Sequence, residues 1–145
     1  MNDRHFIDTN ILVYANDSSD KDKQRIAKKI ILDGVRKESI AVSTQVLSEF
    51  YVTVTRKIKV TLSPEIAKKE IQLLSTIEII EIDFDLVIQA IDLSEKYKLS
   101  YWDSLIIAAA AKSKSTTLFS EDLHHNQVIE TVRVINPFIG SPTPA

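Results

Sequence analysis

Residues 4–14 read RHFIDTNILVY. The short semi-apolar run 4–7 predicts a strand, and the apolar run 11–14 predicts the start of a helix. Asp8 stands at the junction between the two, where the strand ends. In open α/β sheets, ligands bind at the carboxyl ends of the strands. The stretch therefore predicts an α/β fold that carries a carboxylate at its ligand-binding edge.

Strands alternate with amphipathic helices along the rest of the chain. Such alternation predicts a mostly parallel sheet with helices on both faces. We therefore expect a three-layer α/β/α sandwich with a central sheet of four to five strands. The predicted strands cover residues 4–7, 40–43, 77–82, 116–119 and 131–135, and the predicted helices after the first cover 20–33, 44–57, 63–74, 83–97 and 101–112. One domain is expected over 1–138, followed by a loose tail over 139–145.

The helices also lead to expectations about packing. Gly34 is expected to end the first long helix, because glycine is favoured just after a helix. The helix over 83–97 is expected to bury an apolar stripe. That stripe consists of Phe84, Val87, Ile88 and Ile91, widened by Ala90 and Leu93. The helix over 101–112 is apolar nearly all round and is expected to be buried. A core position is favoured for Trp102, and stacking on a base is the alternative.

Composition excludes several classes of protein. The chain has 145 residues, no cysteine and two glycines. Disulfides, thiolate metal sites and a glycine-rich phosphate loop are therefore excluded. The lack of cysteine fits a reducing cytoplasm, where we expect the protein to act. The N-terminal residues are polar, and the longest apolar run, 105–111, is far below the ~18 residues of a membrane span, so we expect neither a secretion signal nor membrane insertion.

The formal net charge is −2 and the pI is near 5.9. A protein that holds nucleic acid by bulk charge is usually basic. The charge therefore argues against that mode of binding. It does not exclude an enzyme whose acidic residues hold a metal, because the metal then supplies the local positive charge.

Four acidic residues lie near the predicted strand ends or on the helices that follow them. Asp8 ends the first strand, and Glu49 lies in the second turn of the helix after the second strand. Asp103 opens the buried helix, and Asp122 follows the fourth strand. Three of them have an ordinary explanation, as an N-cap (Asp8), a capping-box partner of Ser100 (Asp103) and a first-turn acid (Asp122). Glu49 is too deep in its helix to cap it.

Two of these acids are also flanked by apolar residues. Glu49 is expected to lie among Val46, Phe50 and Val54, and Asp103 follows an aromatic pair. A carboxylate against apolar surface costs free energy unless something compensates it. A divalent cation can compensate several carboxylates together, and Mg²⁺ prefers oxygen ligands. Such an ion can position a water molecule and stabilise the leaving oxygen when a phosphodiester is cleaved.

Four segments resemble the PIN-domain family, and especially the VapC-type toxins of bacterial toxin–antitoxin pairs. They are FIDTNIL at 6–12, STQVLSEF at 43–50, LSYWDSLIIAAA at 99–110 and LFSEDL at 118–123. Their order and spacing cover nearly the whole chain. The resemblance implies a PIN-like α/β/α fold and an endoribonuclease that depends on Mg²⁺ or Mn²⁺.

The resemblance also implies a role for each acid. Asp8 and Asp103 are implied as the principal metal ligands. Glu49 and Asp122 are implied as completing ligands or as groups that position water. A cognate antitoxin that blocks the site is implied, and so is a homodimer.

Three further positions relate to the family pattern. Thr9 and Ser120 match the small hydroxyl residues that orient the acids. The family often has a glycine near Asn126, and this chain departs from it. Asparagine tolerates the left-handed backbone conformation, so the turn is expected to survive.

Other polar residues carry alternatives. Arg56, Lys57 and Lys59 follow the Glu49 helix and are candidates for contacts to RNA phosphates. Asp83 and Asp85 resemble a metal pair, but a cap and a first-turn acid of the following helix are favoured. His124 and His125 are favoured as surface residues, because adjacent side chains diverge and do not easily serve one ion.

Two other functions stay open at this point. A phosphotransfer or phosphatase domain on a similar scaffold would need a second acid two residues after Asp8, where the sequence has Asn10. A non-catalytic interaction module of the PIN type is the other alternative, and the intact set of acids argues against it.

Overall fold

The computed structural model describes residues 3–139, which form six strands and six helices, with a pair of helices after each of the first three strands. The strands are β1 (His5–Ile7), β2 (Ile40–Ser43), β3 (Glu78–Ile80), β4 (Thr117–Phe119), β5 (Val128–Ile129) and β6 (Val132–Ile135). The helices are α1 (Thr9–Ala15), α2 (Lys21–Lys37), α3 (Thr44–Arg56), α4 (Pro64–Gln72), α5 (Phe84–Tyr97) and α6 (Tyr101–Lys112).

The strands form one sheet in the order β3-β2-β1-β4-β6-β5. All neighbouring pairs are parallel except the β5–β6 hairpin. This confirms the predicted α/β fold with a mostly parallel sheet. The sheet has six strands rather than four to five, because the two-residue β5 is too short to give a sequence pattern of its own.

The helices form two groups on this sheet. Helices α1 to α4 pack against one another, and α5 packs against α6. The chain moves from β1 through β2 to β3 in one direction, and then to β4 on the other side of β1. Right-handed crossovers in opposite directions place their helices on opposite faces of the sheet. The strand order therefore reverses between β1 and β4, and this reversal is the place where open α/β sheets bind ligands.

The core follows from strands that are buried on both faces. Phe6, Ile7, Val42 and Leu118 are fully buried. Helix α6 is buried from Ser104 to Ala110, which confirms the expectation drawn from its apolar sequence. Several helices begin at side-chain caps. The side chains of Ser63, Asp83 and Ser100 accept hydrogen bonds from Ile66 N, Leu86 N and Asp103 N respectively.

Gly34 lies inside α2 and does not end it, so that prediction was wrong. The helix continues to Lys37 and ends at Glu38, whose φ of 52° is in the left-handed region. Gly34 is needed for space instead. A Cβ at this position would lie 2.2 Å from Cγ2 of Ile40. The glycine therefore lets α2 approach β2 closely.

The apolar stripe predicted for α5 was largely wrong as well. The residues that α5 buries are Leu86, Ala90 and Leu93. Phe84 is 77% exposed, and Ile88 and Ile91 are exposed too. The buried set faces α6, the only helix with which α5 packs extensively in residues 3–139. An outer helix with one neighbouring helix buries a narrow stripe, and the wider periodicity in the sequence does not reveal which side that is.

Three remaining expectations have mixed outcomes. Trp102 is 62% exposed and is not part of the core, contrary to prediction. Within residues 3–139, no helix is long and apolar enough to cross a membrane. The loose tail predicted over 139–145 lies outside the described residues apart from Ile139.

We predict that Gly34→Ala destabilises the protein by about 1–3 kcal/mol, as overpacking of a core typically does. The new methyl group would collide with the buried Ile40 side chain. Without that collision, alanine would stabilise the helix by up to about 1 kcal/mol. Urea unfolding of the single variants and of Gly34→Ala/Ile40→Ala checks this. Gly34→Ala should be neutral or stabilising in the Ile40→Ala background, and an equal loss in both backgrounds would contradict the steric explanation.

Candidate active site

Asp8 occupies the end of β1, where it is both an N-cap and a buried carboxylate. Its backbone N–H donates to the Phe119 carbonyl at 3.0 Å, which joins it to the end of β4. The side chain is held on both oxygens. Thr9 N donates to Oδ1 at 2.7 Å, and Ser120 Oγ donates to Oδ2 at 2.7 Å. Asp8 is 6% exposed, so its carboxylate is fixed in a place where water does not reach it freely.

The surroundings of this carboxylate disfavour its ionised form. Burial raises the pKa of Asp8 from 3.8 to about 6, although the hydrogen bonds from Ser120 and Thr9 act in the opposite direction. The negative charges of Asp122 and Glu49 raise the pKa further. A cation beside these three acids would favour the ionised form of Asp8 and remove the repulsion.

Glu49 reaches the site from α3. Thr9 Oγ1 donates to Glu49 Oε1 at 2.8 Å, so the threonine after Asp8 holds the second acid. The sequence-based expectation that Glu49 lies among apolar residues was wrong. Val46 and Phe50 are buried on one side of α3, whereas Glu49 is exposed on another. Its position therefore needs no compensation for burial, and its relevance rests on its proximity to Asp8.

Asp122 is placed by a side chain that the sequence did not single out as functional. Asn10 Nδ2 donates to Asp122 Oδ2 at 3.1 Å, and Glu121 N donates to Asn10 Oδ1 at 3.2 Å. Asp122 N in turn donates to Ser120 Oγ at 3.2 Å. One sequence feature could have indicated this role of Asn10. It lies two residues after Asp8, close to the same end of β1.

Asp103 lies in the first turn of α6. Its N–H donates to Ser100 Oγ at 3.1 Å, so the cap of this helix is the serine. Gln45 Nε2 donates to the Trp102 carbonyl at 3.4 Å, which links the starts of α3 and α6 one turn before Glu49. Asp103 is not among the described residues that contribute to the pKa of Asp8. The structure thus groups Asp8 with Glu49 and Asp122, and it places Asp103 on the neighbouring helix end.

A cleft of about 690 Å³ opens beside this group, and it is lined by Glu49 and Asp122 but not by Asp8 or Asp103. Four of the side chains that line it are acidic, and they are Asp17, Glu49, Glu121 and Asp122. Among the described residues that line it, Lys57 is the cationic one. Arg56 and Lys59 do not line it.

The donor set is chemically suited to Mg²⁺ or Mn²⁺. Carboxylate oxygens are the ligands that Mg²⁺ prefers, and the ion usually takes one or two of them while it keeps several waters. Within residues 3–139, no group of three or more histidine or acidic side chains is close enough to hold one ion together. The buried, destabilised charge of Asp8 beside two further carboxylates nevertheless fits an ion with few protein ligands.

The other candidate positions serve local structure. His125 Nδ1 accepts a hydrogen bond from Asn136 N at 3.0 Å, and His124 is exposed. Asp83 caps α5, and Asp85 is a first-turn acid, as favoured from the sequence. Asn126 has a φ of 69°, which confirms that asparagine takes the left-handed turn position.

Fold and site together define a three-layer α/β protein with a carboxylate group at the switch point of its sheet. The family model of the PIN domain matches residues 5–130. The chain therefore belongs to the PIN-domain family, a family of nucleases. No curated protein sequence matches the chain significantly.

Solved structures of similar fold include a toxin, a toxin–antitoxin complex and a VapBC protein bound to DNA. The Mycobacterium tuberculosis toxin VapC20, which cleaves the sarcin–ricin loop, has 18% identity and a TM-score of 0.66, with 81% of this chain and 89% of that one covered. A toxin–antitoxin complex from Klebsiella pneumoniae has 24% identity and a TM-score of 0.66, with coverages of 92% and 98%. VapBC2 from Rickettsia felis, bound to a promoter DNA fragment, has 22% identity and a TM-score of 0.58, with coverages of 90% and 96%.

We predict that Asp8→Asn stabilises the metal-free protein at pH 8 by up to about 3 kcal/mol, from a shift of about two pH units at 1.36 kcal/mol each. The folded state raises the pKa of Asp8 to about 6. The wild-type contribution is therefore fully present below about pH 4 and is lost as the pH rises through about 6. Asparagine does not titrate, so the difference between the proteins should grow over this range.

Urea unfolding in EDTA between pH 4 and 8 checks this prediction. The matched control is Asp92→Asn, which alters an exposed carboxylate of α5. It should not reproduce the pH-dependent difference. A loss of stability in Asp8→Asn at every pH would mean that hydrogen bonding to the carboxylate outweighs the cost of burying its charge.

Proposed function

We propose that this protein is a Mg²⁺- or Mn²⁺-dependent endoribonuclease and the toxin of a type II toxin–antitoxin pair. The proposal rests above all on the buried carboxylate of Asp8, which is grouped with Glu49 and Asp122 at the switch point of a PIN-family sheet. An RNA substrate and a cytoplasmic site of action accompany this proposal.

In the proposed site, Asp8 and Asp103 are the principal ligands of the cation. Glu49 and Asp122 complete the set or orient the attacking water. When bound, the cation would supply positive charge that eases deprotonation of water and stabilises the leaving oxygen. Thr9 and Ser120 fix the carboxylates by donating to Glu49 and Asp8, so the acids are oriented before substrate arrives.

Hydroxyl donors have a second role in this arrangement. Each one occupies a single oxygen of its carboxylate, Oε1 of Glu49 and Oδ2 of Asp8. The carboxylate cannot rotate freely, so its remaining lone pairs have a defined direction. Pre-oriented charges stabilise a transition state without reorganising during the reaction.

Substrate binding is proposed for the side of the cleft formed by α3. Lys57 follows the last residue of this helix and lines the cleft with Glu49. A positive charge there can contact an RNA phosphate next to the one that is cleaved. Arg56 and Lys59 flank it in sequence and are proposed as weaker phosphate contacts outside the cleft.

A protein partner is also proposed. The Klebsiella pneumoniae structure is a toxin–antitoxin complex, and VapBC2 from Rickettsia felis is bound to a promoter DNA fragment. By analogy, we propose that a cognate antitoxin blocks the active site of this chain, and that the chain forms a homodimer. The VapC20 structure comes from a toxin that cleaves an RNA loop, which favours structured RNA as the substrate class.

The two other functions have less support. A phosphotransfer enzyme would use a second acid at position 10, where Asn10 instead holds Asp122 and the backbone of Glu121. A non-catalytic module would not need a buried carboxylate of raised pKa. Hydrolysis of a small phosphate ester without RNA cleavage would favour the phosphotransfer enzyme. Absence of both activities would favour the non-catalytic module.

We predict that the purified chain cleaves structured RNA with Mg²⁺ or Mn²⁺ and that EDTA abolishes cleavage. Asp8→Asn and Asp103→Asn should each lower kcat by at least about 100-fold, because even residues that only support a metal ligand typically account for 10- to 100-fold. Gel-based cleavage with Asp92→Asn as a control checks this. Full activity of Asp103→Asn would remove that residue from the site.

We predict that Lys57→Met raises KM for RNA roughly tenfold, as expected for the loss of one charge-assisted hydrogen bond of about 1.5 kcal/mol. The kcat should stay nearly constant if the contact is equal in ground and transition states. The slope of log KM against log salt should fall by about 1. Lys29→Met, which removes an exposed charge from α2, serves as the control. An unchanged salt slope would show that Lys57 does not contact phosphate.

A further inference from the structure

Glu121 lies next to Asp122 in the cleft but is bound to other residues through both carboxylate oxygens. Tyr14 Oη donates to Oε1 at 2.6 Å, and Lys23 Nζ donates to Oε2. Lys23 Nζ also donates to Tyr14 Oη at 3.2 Å. The hydrogen bond to Glu121 raises the pKa of Lys23, so the ammonium group stays charged. The three side chains therefore form a closed, charge-balanced triangle, named here the Glu121 clasp.

The Glu121 clasp joins parts of the chain that are far apart in sequence. Tyr14 comes from α1, Lys23 from the first turns of α2 and Glu121 from the loop after β4. The Tyr14 ring packs edge-on against Phe138 at 5.1 Å between centroids, and Lys23 Nζ lies 4.7 Å from the centroid of the Tyr14 ring. The ion pair is about three-quarters shielded on its acidic side, since the Glu121 side chain is 25% exposed.

The clasp acts on the loop that carries Asp122. Residues 120–122 are held one after another, Ser120 by Asp8, Glu121 by the clasp and Asp122 by Asn10. The Glu121 side chain is the anchor of this loop on α2. If it is released, the peptide that precedes Asp122 loses its link to that helix, and its remaining side-chain partner is Asn10.

We propose that Lys23 and Tyr14 are positioning residues, which hold the loop after β4 through Glu121 so that Asp122 presents its carboxylate to the cation. This inference rests on the proposed function, because it assigns the clasp to the same cation site. Glu121 is not itself a ligand in this arrangement, since its negative charge is already balanced by the Lys23 ammonium group and its other oxygen accepts from Tyr14. The chain thereby selects one of two neighbouring acids for the site.

An effect of charge alone and an effect of positioning would change Mn²⁺ affinity in opposite directions when Lys23 is replaced. Lys23→Met removes a positive charge near a cation site, and through Coulomb attraction alone this would tighten Mn²⁺ binding. Loss of positioning would weaken it, since partners that orient metal ligands typically account for roughly 10- to 100-fold in affinity or activity. Tyr14→Phe removes only a hydroxyl group and leaves the net charge unchanged.

The experiment is titration of the full-length chain with Mn²⁺ by isothermal calorimetry, with kcat and KM measured on RNA in parallel. We expect Lys23→Met to bind Mn²⁺ roughly 10- to 100-fold more weakly, and Tyr14→Phe to weaken it in the same direction. Lower kcat with little change in KM should accompany this. Lys23→Arg keeps the positive charge and has enough N–H donors for both Tyr14 and Glu121, so it should retain most of the wild-type affinity. Lys29→Met is the matched control on α2.

Each outcome decides between the explanations. Unchanged or tighter Mn²⁺ binding by a folded Lys23→Met protein overturns the proposal and leaves the clasp a purely structural ion pair. If that variant does not fold, wild-type affinity in Tyr14→Phe overturns it instead. Failure of the wild type to bind Mn²⁺ counts against the proposed function, whereas binding that is insensitive to the clasp counts only against this inference.

Discussion

The buried carboxylate of Asp8 is the constraint on which the site depends. A charge that is largely shielded from water needs donors, and the chain provides Thr9 N from the helix start and Ser120 Oγ from the loop after β4. The donation from Asp8 N to the Phe119 carbonyl keeps β1 and β4 in contact at this point. Two neighbouring acids work against these donors and raise the pKa of the group. The fold thus tolerates a destabilised charge at the place where a cation would relieve it.

Small polar side chains connect the acids into one unit. Thr9 donates to Glu49, Ser120 to Asp8, and Asn10 to Asp122. Each of these donors lies one or two residues from an acid in the sequence. The same short segments therefore cap a helix and orient the carboxylates. Such preorganisation costs stability in the metal-free protein and favours function, a trade that is common at active sites.

The errors of sequence-based reasoning share one origin. Periodicity identified α5 as amphipathic but selected Phe84 and Ile88, which are exposed, over Leu86, which is buried. Glu49 was taken as flanked by apolar residues, although those residues lie on the other side of α3. A pattern along one helix shows that apolar residues are present on it. It does not show which neighbouring element will cover them.

The sequence by itself determined the alternation of strands and helices, the acids at the strand ends and the caps such as Ser63 and Asp83. Helices and their caps depend on hydrogen bonds between residues three or four apart, and the strands show as short apolar runs, so a short segment contains the signal for each. Tertiary structure alone decided that Gly34 makes room for Ile40 and that Glu121 pairs with Lys23. The latter two residues are 98 positions apart. Their meeting depends on the strand order, which brings β4 beside β1 and is not encoded in either local segment.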